Sequence, residues 1–326
     1  MSQFWAKYPS IQRELEQVME IISKSNKSSE AYLNKSLDYL TLAGGKMVRP
    51  AFVMLGSQFA SGENVNKDKL VHLAASIETL HMATLVHDDI IDESKMRRGQ
   101  ESIQSKYGKP YAVYMGDYLF TQCFLMLVDY DFEAENIKRV AEAMKRVCIG
   151  EMMQYQRRYK LDKSTKNYLK VVSGKTAALI AISLGVGAHE AGASEDVAKL
   201  LGRVGYNIGM AFQIIDDLLD YNGDHKAFGK DTKADILKGY YTLPIIRTLG
   251  KTECKGVESI LSQTDLSESD VDALIELTKR SGALKETEDL AQKYTQRALK
   301  YTSQLPECEA KSILKEIIPV LLRRNK

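Results

Sequence analysis

The chain has 326 residues, of which 44% are hydrophobic, enough for one large domain or two ordinary ones. Lys and Arg number 45 against 43 Asp and Glu, a net charge of +2 with no basic block, so the signature of a nucleic-acid binder is missing. Cys123, Cys148, Cys254 and Cys308 are scattered, without a CxxC pair or a histidine at zinc-finger spacing. They read as small buried hydrophobes in a reducing compartment rather than as disulfides or metal ligands. The N-terminal segment becomes charged too early for a signal peptide. The longest uncharged run, 176–189, is shorter than the roughly 20 residues that cross a bilayer. The expectation is a cytoplasmic protein that is not an integral membrane protein.

Prolines stand only at 9, 50, 110, 244, 306 and 319, so long stretches lack a backbone breaker and favour helix. In chain order, Gly44-Gly45 marks a turn before Lys46. Leu70, Leu73, Ile77, Leu80 and Thr84 then step by three or four along one face and predict a helix. Further helices are predicted over about 110–128, 168–186 and 199–221, and a last one over 309–322. Gly223-Asp224 and Ser281-Gly282 mark turns. No alternating run bounded by turn signals predicts a strand. The fold class read from these elements is all-α: one domain over residues 1–326, a bundle of roughly ten or more helices with the site between them.

The strongest signal is a pair of acidic segments, Leu85-Val86-His87-Asp88-Asp89-Ile90-Ile91-Asp92 and Gln213-Ile214-Ile215-Asp216-Asp217-Leu218-Leu219-Asp220. Each is DDxxD set in apolar helix, and its first and last aspartates, four apart, share a face. Three carboxylates held so close disfavour ionisation unless cations compensate. Mg²⁺ suits the task, since it takes a few carboxylates, several waters and substrate phosphate oxygens. Two such helices facing one another would make a cage for ions bridging a diphosphate. An isolated DDxxD is as often a solvated helix end; two identical motifs flanked by Ile and Leu are much harder to read that way.

A diphosphate also needs cations. Lys46 and Arg49, in Gly44-Gly45-Lys46-Met47-Val48-Arg49-Pro50, are three apart at a predicted loop-to-helix junction. Arg97 and Arg98 follow the first acidic motif, and each guanidinium can grip phosphate through two parallel hydrogen bonds. Lys175, Lys230 and His81 complete the set, His81 lying two turns before Asp88 on one helical face. Any one of these is more often a surface charge or a core histidine; their association with two acidic motifs carries the argument. Other motifs fail. Gly174-Lys175-Thr176 lacks the first P-loop glycine, position 169 being Leu, and Gly185-Val186-Gly187 lacks the third glycine of a dinucleotide fingerprint, position 190 being Glu. Glu78-Thr79-Leu80-His81 is half of a di-iron pair whose second half is absent.

The ordered set GGKMVRP, HDDIIDESKMRRG, GKT, FQIIDDLLD and FGK…TLP resembles the trans-isoprenyl diphosphate synthases of the polyprenyl synthetase family, most of all the catalytic subunits of long-chain, heptaprenyl-type enzymes. The resemblance runs from Gly44 to about Pro244. It implies an all-α fold with a central cavity, usually a homodimer. It also implies a head-to-tail 1′-4 condensation of isopentenyl diphosphate with an allylic diphosphate, with three Mg²⁺ ions per site. By the same resemblance, Asp88 and Asp92 would bind Mg²⁺ with Asp89 supporting, and Asp216 would bind it with Asp217 and Asp220 in direct or water-mediated roles. Arg97, Lys175 and Lys230 would hold the allylic diphosphate. Lys46, Arg49, His81 and Arg98 would hold isopentenyl diphosphate. Thr176 and Gln213 would lie near the reacting carbons. Two departures stand out: Met47 where the family often has Arg, and Tyr240 where many members have Lys.

The resemblance also bears on product length. The growing tail would run along the first Asp-bearing helix, so Ala83 and Thr84, one turn before Asp88, form its early wall. Family members with short products carry an aromatic plug there. Its absence implies a chain of C30 or longer, as in quinone side chains, with Phe120 and Phe124 as candidates for a deeper floor. The basic end Arg323-Arg324-Asn325-Lys326 is expected to fold over the diphosphate site. A class I terpene cyclase is a rival, but cyclases usually replace second-motif aspartates with Asn or Ser. A non-catalytic partner subunit should lack both acidic motifs. A catalytic half that needs a small partner subunit stays open, as does a shorter C15–C20 product.

Overall fold

Burial on one face or on all faces decides where each helix lies. The computed structural model describes residues 3–42, 44–60, 65–221, 232–251, 255–263 and 265–322. The chain order is α1 (Pro9–Ser25), α2 (Ala31–Leu42), α3 (Val48–Ser57), α4 (Lys67–Ile91), a hairpin of β1 (Met96–Arg97) with β2 (Gln100–Glu101), α5 (Ile103–Tyr107), α6 (Lys109–Val128) and α7 (Ala134–Gln156). There follow α8 (Thr165–Val172), a π-helical turn (Ser173–Ala177), α9 (Ala178–Glu190), α10 (Glu195–Leu219), α11 (Thr232–Leu237), α12 (Leu243–Leu249), α13 (Lys255–Leu261), α14 (Glu268–Arg280), α15 (Ala283–Ser303) and α16 (Glu309–Leu322). The fold is all-α, as the sequence leads one to expect.

The chain divides into two compact units. The first comprises Met1–Glu142, Ile182–Gly202 and Leu305–Ala310. Its axis is α4, in which every residue from Leu70 to Leu80 is buried. A helix apolar nearly all round belongs at the centre of a core, and α4 packs against α1, α3 and α6. α1 shows the one-sided pattern instead: Ile11, Leu15, Val18 and Ile22, stepping by four, three and four, are its buried stripe. Each such side chain contributes about 1.5–3 kcal/mol on burial. Gly187 belongs to a close helix crossing, because a Cβ there would lie 2.1 Å from the Val53 carbonyl oxygen of α3.

The second unit comprises Ala143–Ala181, Arg203–Gln304 and Lys311–Lys326. Ile245 and Leu249 of α12, Val257 and Leu261 of α13, and Val271, Leu274 and Ile275 of α14 make its core with Tyr221 and Ile236. α14 starts on a capping box in which Ser267 and Asp270 satisfy each other's backbone N–H. The expected Ser281-Gly282 turn is present, with Gly282 at φ +77° before α15.

Three local features depart from the sequence reading. Arg98 and Gly99 have φ of 51° and 81°, the two-residue turn of a tight hairpin, and strands of two residues carry no alternation to detect. The helix expected over 168–186 contains the π turn. There a Cβ on Gly150 would lie 2.4 Å from the Lys175 nitrogen, and one on Gly174 would lie 2.7 Å from the Arg146 carbonyl oxygen. Cys148 is exposed, whereas Cys123 is buried as expected; Cys254 and Gly223-Asp224 lie outside the described residues. Among the described residues, one helical run, Thr165–Glu190, is long and apolar enough to cross a membrane by length and composition, but 67% of its apolar window is buried within the protein, as in a core helix.

Candidate active site

Both acidic motifs end their helices rather than lying inside them. Asp88 and Asp89 occupy the last turn of α4, and Asp92 is its C-cap, its N–H donating to the Asp88 carbonyl at 2.8 Å. Asp216 and Asp217 occupy the last turn of α10, and Asp220 follows its end. A helix C-terminus carries partial negative charge and favours cationic side chains by about 0.3–1 kcal/mol each, yet neither last turn holds a basic residue. Asp89 and Asp217 are buried as well, 4% and 7% exposed, so these are not solvated helix ends. Carboxylates placed there work against the fold and call for a cation from outside the helix.

In the first unit that need is partly met by Arg97, whose Nε donates to Asp89 Oδ1 at 2.9 Å. Burial raises the Asp89 carboxyl above its ordinary range, and the Arg97 bond opposes that. No group of three or more carboxylate, histidine or cysteine side chains with metal-holding geometry occurs among the described residues. One or two carboxylates per ion, completed by water and substrate phosphate, is how Mg²⁺ is usually bound, so the donor set fits.

The cations cluster in the same unit. Gly45 allows the hairpin to close on the loop before α3: a Cβ there would lie 2.5 Å from Arg98 Nη1. Arg49 and Arg98 are near enough to His81 to lower it, and buried Glu78 is near enough to both arginines to feel them. Burial lowers Arg49 to about 10, with Glu78 opposing and Arg98 adding to the shift, and it stays charged at neutral pH. Burial holds His81 well below its ordinary value, reinforced by Arg49, Arg98 and Arg97, so the imidazole is neutral. Burial raises the Glu78 carboxyl, against the pull of Arg49 and Arg98. Arg49 Nε and Glu78 Oε2 are buried without a hydrogen-bond partner, one donor and one acceptor left unsatisfied in this cluster. Lys46 is exposed, its ammonium 5.4 Å from the Phe4 ring centroid, and Trp5 Nε1 donates to the Lys46 carbonyl at 2.5 Å. Met47 is the buried N-cap of α3 at φ 49°, a place that suits an apolar side chain better than the family's arginine.

Ala83 is fully buried in a cluster with Leu37, Val86, Ile103, Met115 and Leu119, and Phe120 packs against it. Thr84 turns its hydroxyl back to the His81 carbonyl at 2.7 Å.

In the second unit the π turn displaces the Lys175 and Thr176 positions from regular α-helix, a distortion frequent at functional sites. Lys175 Nζ donates to Glu151 Oε2 at 2.9 Å and to Gln154 Oε1 at 2.8 Å. Thr176 Oγ1 donates to Gln213 Oε1 at 2.7 Å, Gln213 Nε2 to Asp217 Oδ1 at 3.0 Å, and the Tyr168 hydroxyl to Asp217 Oδ2 at 2.6 Å. Burial raises the Tyr168 phenol well above its ordinary value, and Asp217 adds to the shift. Tyr168, Lys175, Gln213 and Asp217, with Arg157 and Tyr240, line an open pocket. Tyr240 is paired with a cation of its own, the Arg158 guanidinium lying 5.0 Å from its ring centroid.

The structure thus gathers Lys46, Arg49, His81, Asp88, Asp89, Asp92, Arg97 and Arg98 in one unit, and Lys175, Thr176, Gln213, Asp216, Asp217 and Asp220 in the other. Lys230 and the 323–326 tail lie outside the described residues. Sequence reasoning missed Glu78 and Tyr168 as site residues. Glu78 carried a signal, a charge one turn from His81 in an apolar run; Tyr168 carried a weaker one, seven residues before Lys175. Trp5 carried none.

Comparison with known proteins places these residues in context. A polyprenyl synthetase family model matches residues 30–278. Heptaprenyl diphosphate synthase component 2 of Geobacillus stearothermophilus is 33% identical over 321 residues, 98% of either chain. Geranylgeranyl pyrophosphate synthase of Geoglobus acetivorans is 35% identical over 288 residues, 87% of this chain and 88% of its own. The crystal structure of a Caulobacter crescentus polyprenyl synthase complexed with calcium and isoprenyl diphosphate aligns with a TM-score of 0.88 at 31% identity, over 97% of this chain and 96% of that one.

Proposed function

This chain belongs to the polyprenyl synthetase family and is a trans-prenyl diphosphate synthase, and from that premise we propose a Mg²⁺-dependent enzyme making an all-trans product of C30 or longer. The observation that carries the reading is the placement of two DDxxD motifs at helix C-termini without a basic residue in either last turn.

Asp88, Asp92 and Asp216 would hold Mg²⁺, three ions per site, with Asp89 anchored by Arg97. Bound Mg²⁺ supplies Lewis-acid stabilisation of the departing diphosphate. Lys175, Arg97 and Lys230 hold the allylic diphosphate as its C–O bond breaks. Arg49, Arg98, Lys46 and neutral His81 hold isopentenyl diphosphate so that its double bond meets the allylic carbon. Thr176 and Gln213 present oxygen dipoles to the electron-poor carbon, and the apolar flanks of α4 exclude water that would quench it. The proton lost from the new chain goes to the departed diphosphate, so no protein nucleophile is needed.

The long product rests on small Ala83 and Thr84 in the turn before Asp88. A shorter product is the second reading, favoured by the similarity to a geranylgeranyl pyrophosphate synthase. A catalytic subunit that needs a small partner is favoured by the similarity to a protein called component 2. A homodimer is our default, supported by exposed apolar side chains along α6, Tyr114, Leu125 and Val128. The test is the purified chain alone with isopentenyl and farnesyl diphosphates and Mg²⁺, products separated by chromatography. C30 or longer products are expected; C20 as the end product refutes the length, and no turnover without an added subunit refutes self-sufficiency.

A further inference from the structure

The relay Thr176–Gln213–Asp217–Tyr168 has a fixed polarity. A carboxylate only accepts, so the Gln213 group that faces Asp217 Oδ1 at 3.0 Å is its NH₂. Gln213 Oε1 must then face Thr176, and the Thr176 hydroxyl, 2.7 Å away, must donate to it. That leaves the Thr176 oxygen lone pairs pointing away from Gln213. At the far end the Tyr168 hydroxyl donates to Asp217 Oδ2 at 2.6 Å, so each carboxylate oxygen receives a neutral protein donor. Tyr168 and Asp217 are 8% and 7% exposed, and Thr176 is 7% exposed, so little of the relay faces solvent.

Resting on the function proposed above, we infer that Asp217 is an anchoring carboxylate rather than a metal ligand, and that Tyr168 is a positioning residue that holds the Asp217 carboxylate where, through the Gln213 amide, it orients the Thr176 hydroxyl. The second acidic motif is then divided in labour: Asp216 serves the metal and Asp217 serves the hydrogen-bond polarity beside the reacting carbons. A Tyr168→Phe change removes the phenol donor while keeping the ring. Asp217→Asn goes further, because an amide can donate to Gln213 and reverse the whole relay.

The experiment compares Tyr168→Phe, Asp217→Asn and Asp216→Asn with the parent. It records kcat, KM for isopentenyl diphosphate and the Mg²⁺ concentration for half-maximal rate. Independently of turnover, it records the thermal stabilisation given by Mg²⁺ plus inorganic diphosphate. Tyr168→Phe and Asp217→Asn are expected to lower kcat by about 10- to 100-fold, the loss of one or two oriented hydrogen bonds, with KM, Mg²⁺ requirement and thermal stabilisation unchanged. Asp216→Asn is expected to raise the Mg²⁺ requirement and abolish the stabilisation. The inference is overturned if Asp217→Asn shifts the Mg²⁺ requirement as Asp216→Asn does, or if Tyr168→Phe retains parental kcat. Should Asp216→Asn leave both metal readouts untouched, the metal-dependent reading itself falls, and this inference with it.

Discussion

Gly45→Ala probes the cation cluster with the least disturbance to the fold. The new Cβ would lie 2.5 Å from Arg98 Nη1, 3.0 Å from Cζ and 3.1 Å from Nη2. All three belong to the flexible end of one side chain, so the guanidinium can retreat without moving backbone. A retreat of about 1 Å carries a hydrogen bond of ordinary length beyond its useful range. A charge-assisted bond contributes about 1.5–3 kcal/mol, which corresponds to roughly a 10- to 100-fold loss of affinity. The KM for isopentenyl diphosphate should rise by that factor, while the KM for the allylic substrate stays near parental. Denaturant unfolding should show a stability change of less than about 1 kcal/mol, typical of a substitution without a buried clash. An unchanged KM for isopentenyl diphosphate in a folded variant would refute the assignment of Arg98 to that substrate.

Two further outcomes are expected. Ala83→Phe places an aromatic ring among Leu37, Ile103, Met115 and Leu119; chromatography should show shorter products, at a stability cost of about 1–3 kcal/mol for overpacking, and unchanged chain length would exclude growth past this turn. His81 supplies a pH signature. Burial first, then Arg49, Arg98 and Arg97, hold the folded imidazole well below its ordinary value, so the unfolded chain takes up the proton first. The stability due to neutral His81 is complete above about pH 6.5 and declines as pH falls toward the folded value, at up to about 1.4 kcal/mol per pH unit. Urea unfolding between pH 8 and pH 5.5, in roughly the range where His titrates, should show a steeper loss for the parent than for His81→Gln. Glu78 is common to both proteins, so its own titration cancels; parallel curves would contradict a buried neutral His81.

Long helices were legible because apolar stretches run on with few backbone breakers. The segments read over 110–128 and 309–322 are α6 and α16 almost residue for residue. The acidic motifs were legible as motifs, but their place at the last turn of a helix was less so. Nothing local says that α4 stops at Ile91, because no glycine or proline stop signal follows it closely, whereas Gly223 marked the end of α10, read at 221, to within two residues. The features that shape the site escaped for related reasons. The π turn lies where Gly150 and Gly174, residues in different helices, approach closely, and the Thr176 relay ends on a tyrosine of α8 bonded to an aspartate of α10. The role of Gly45 is likewise set by Arg98, far along the chain. Pairings across sequence distance leave no periodic trace.

The central claim is that the aspartates at the ends of α4 and α10 hold metal against a substrate diphosphate. The most direct measurement is the Mg²⁺-saturated turnover of Asp88→Ala and Asp216→Ala, each shown to be folded by circular dichroism. The account predicts that each loses about 10³-fold or more in kcat, since Lewis-acid stabilisation is worth several kcal/mol. Turnover within a few-fold of the parent in either variant would contradict it.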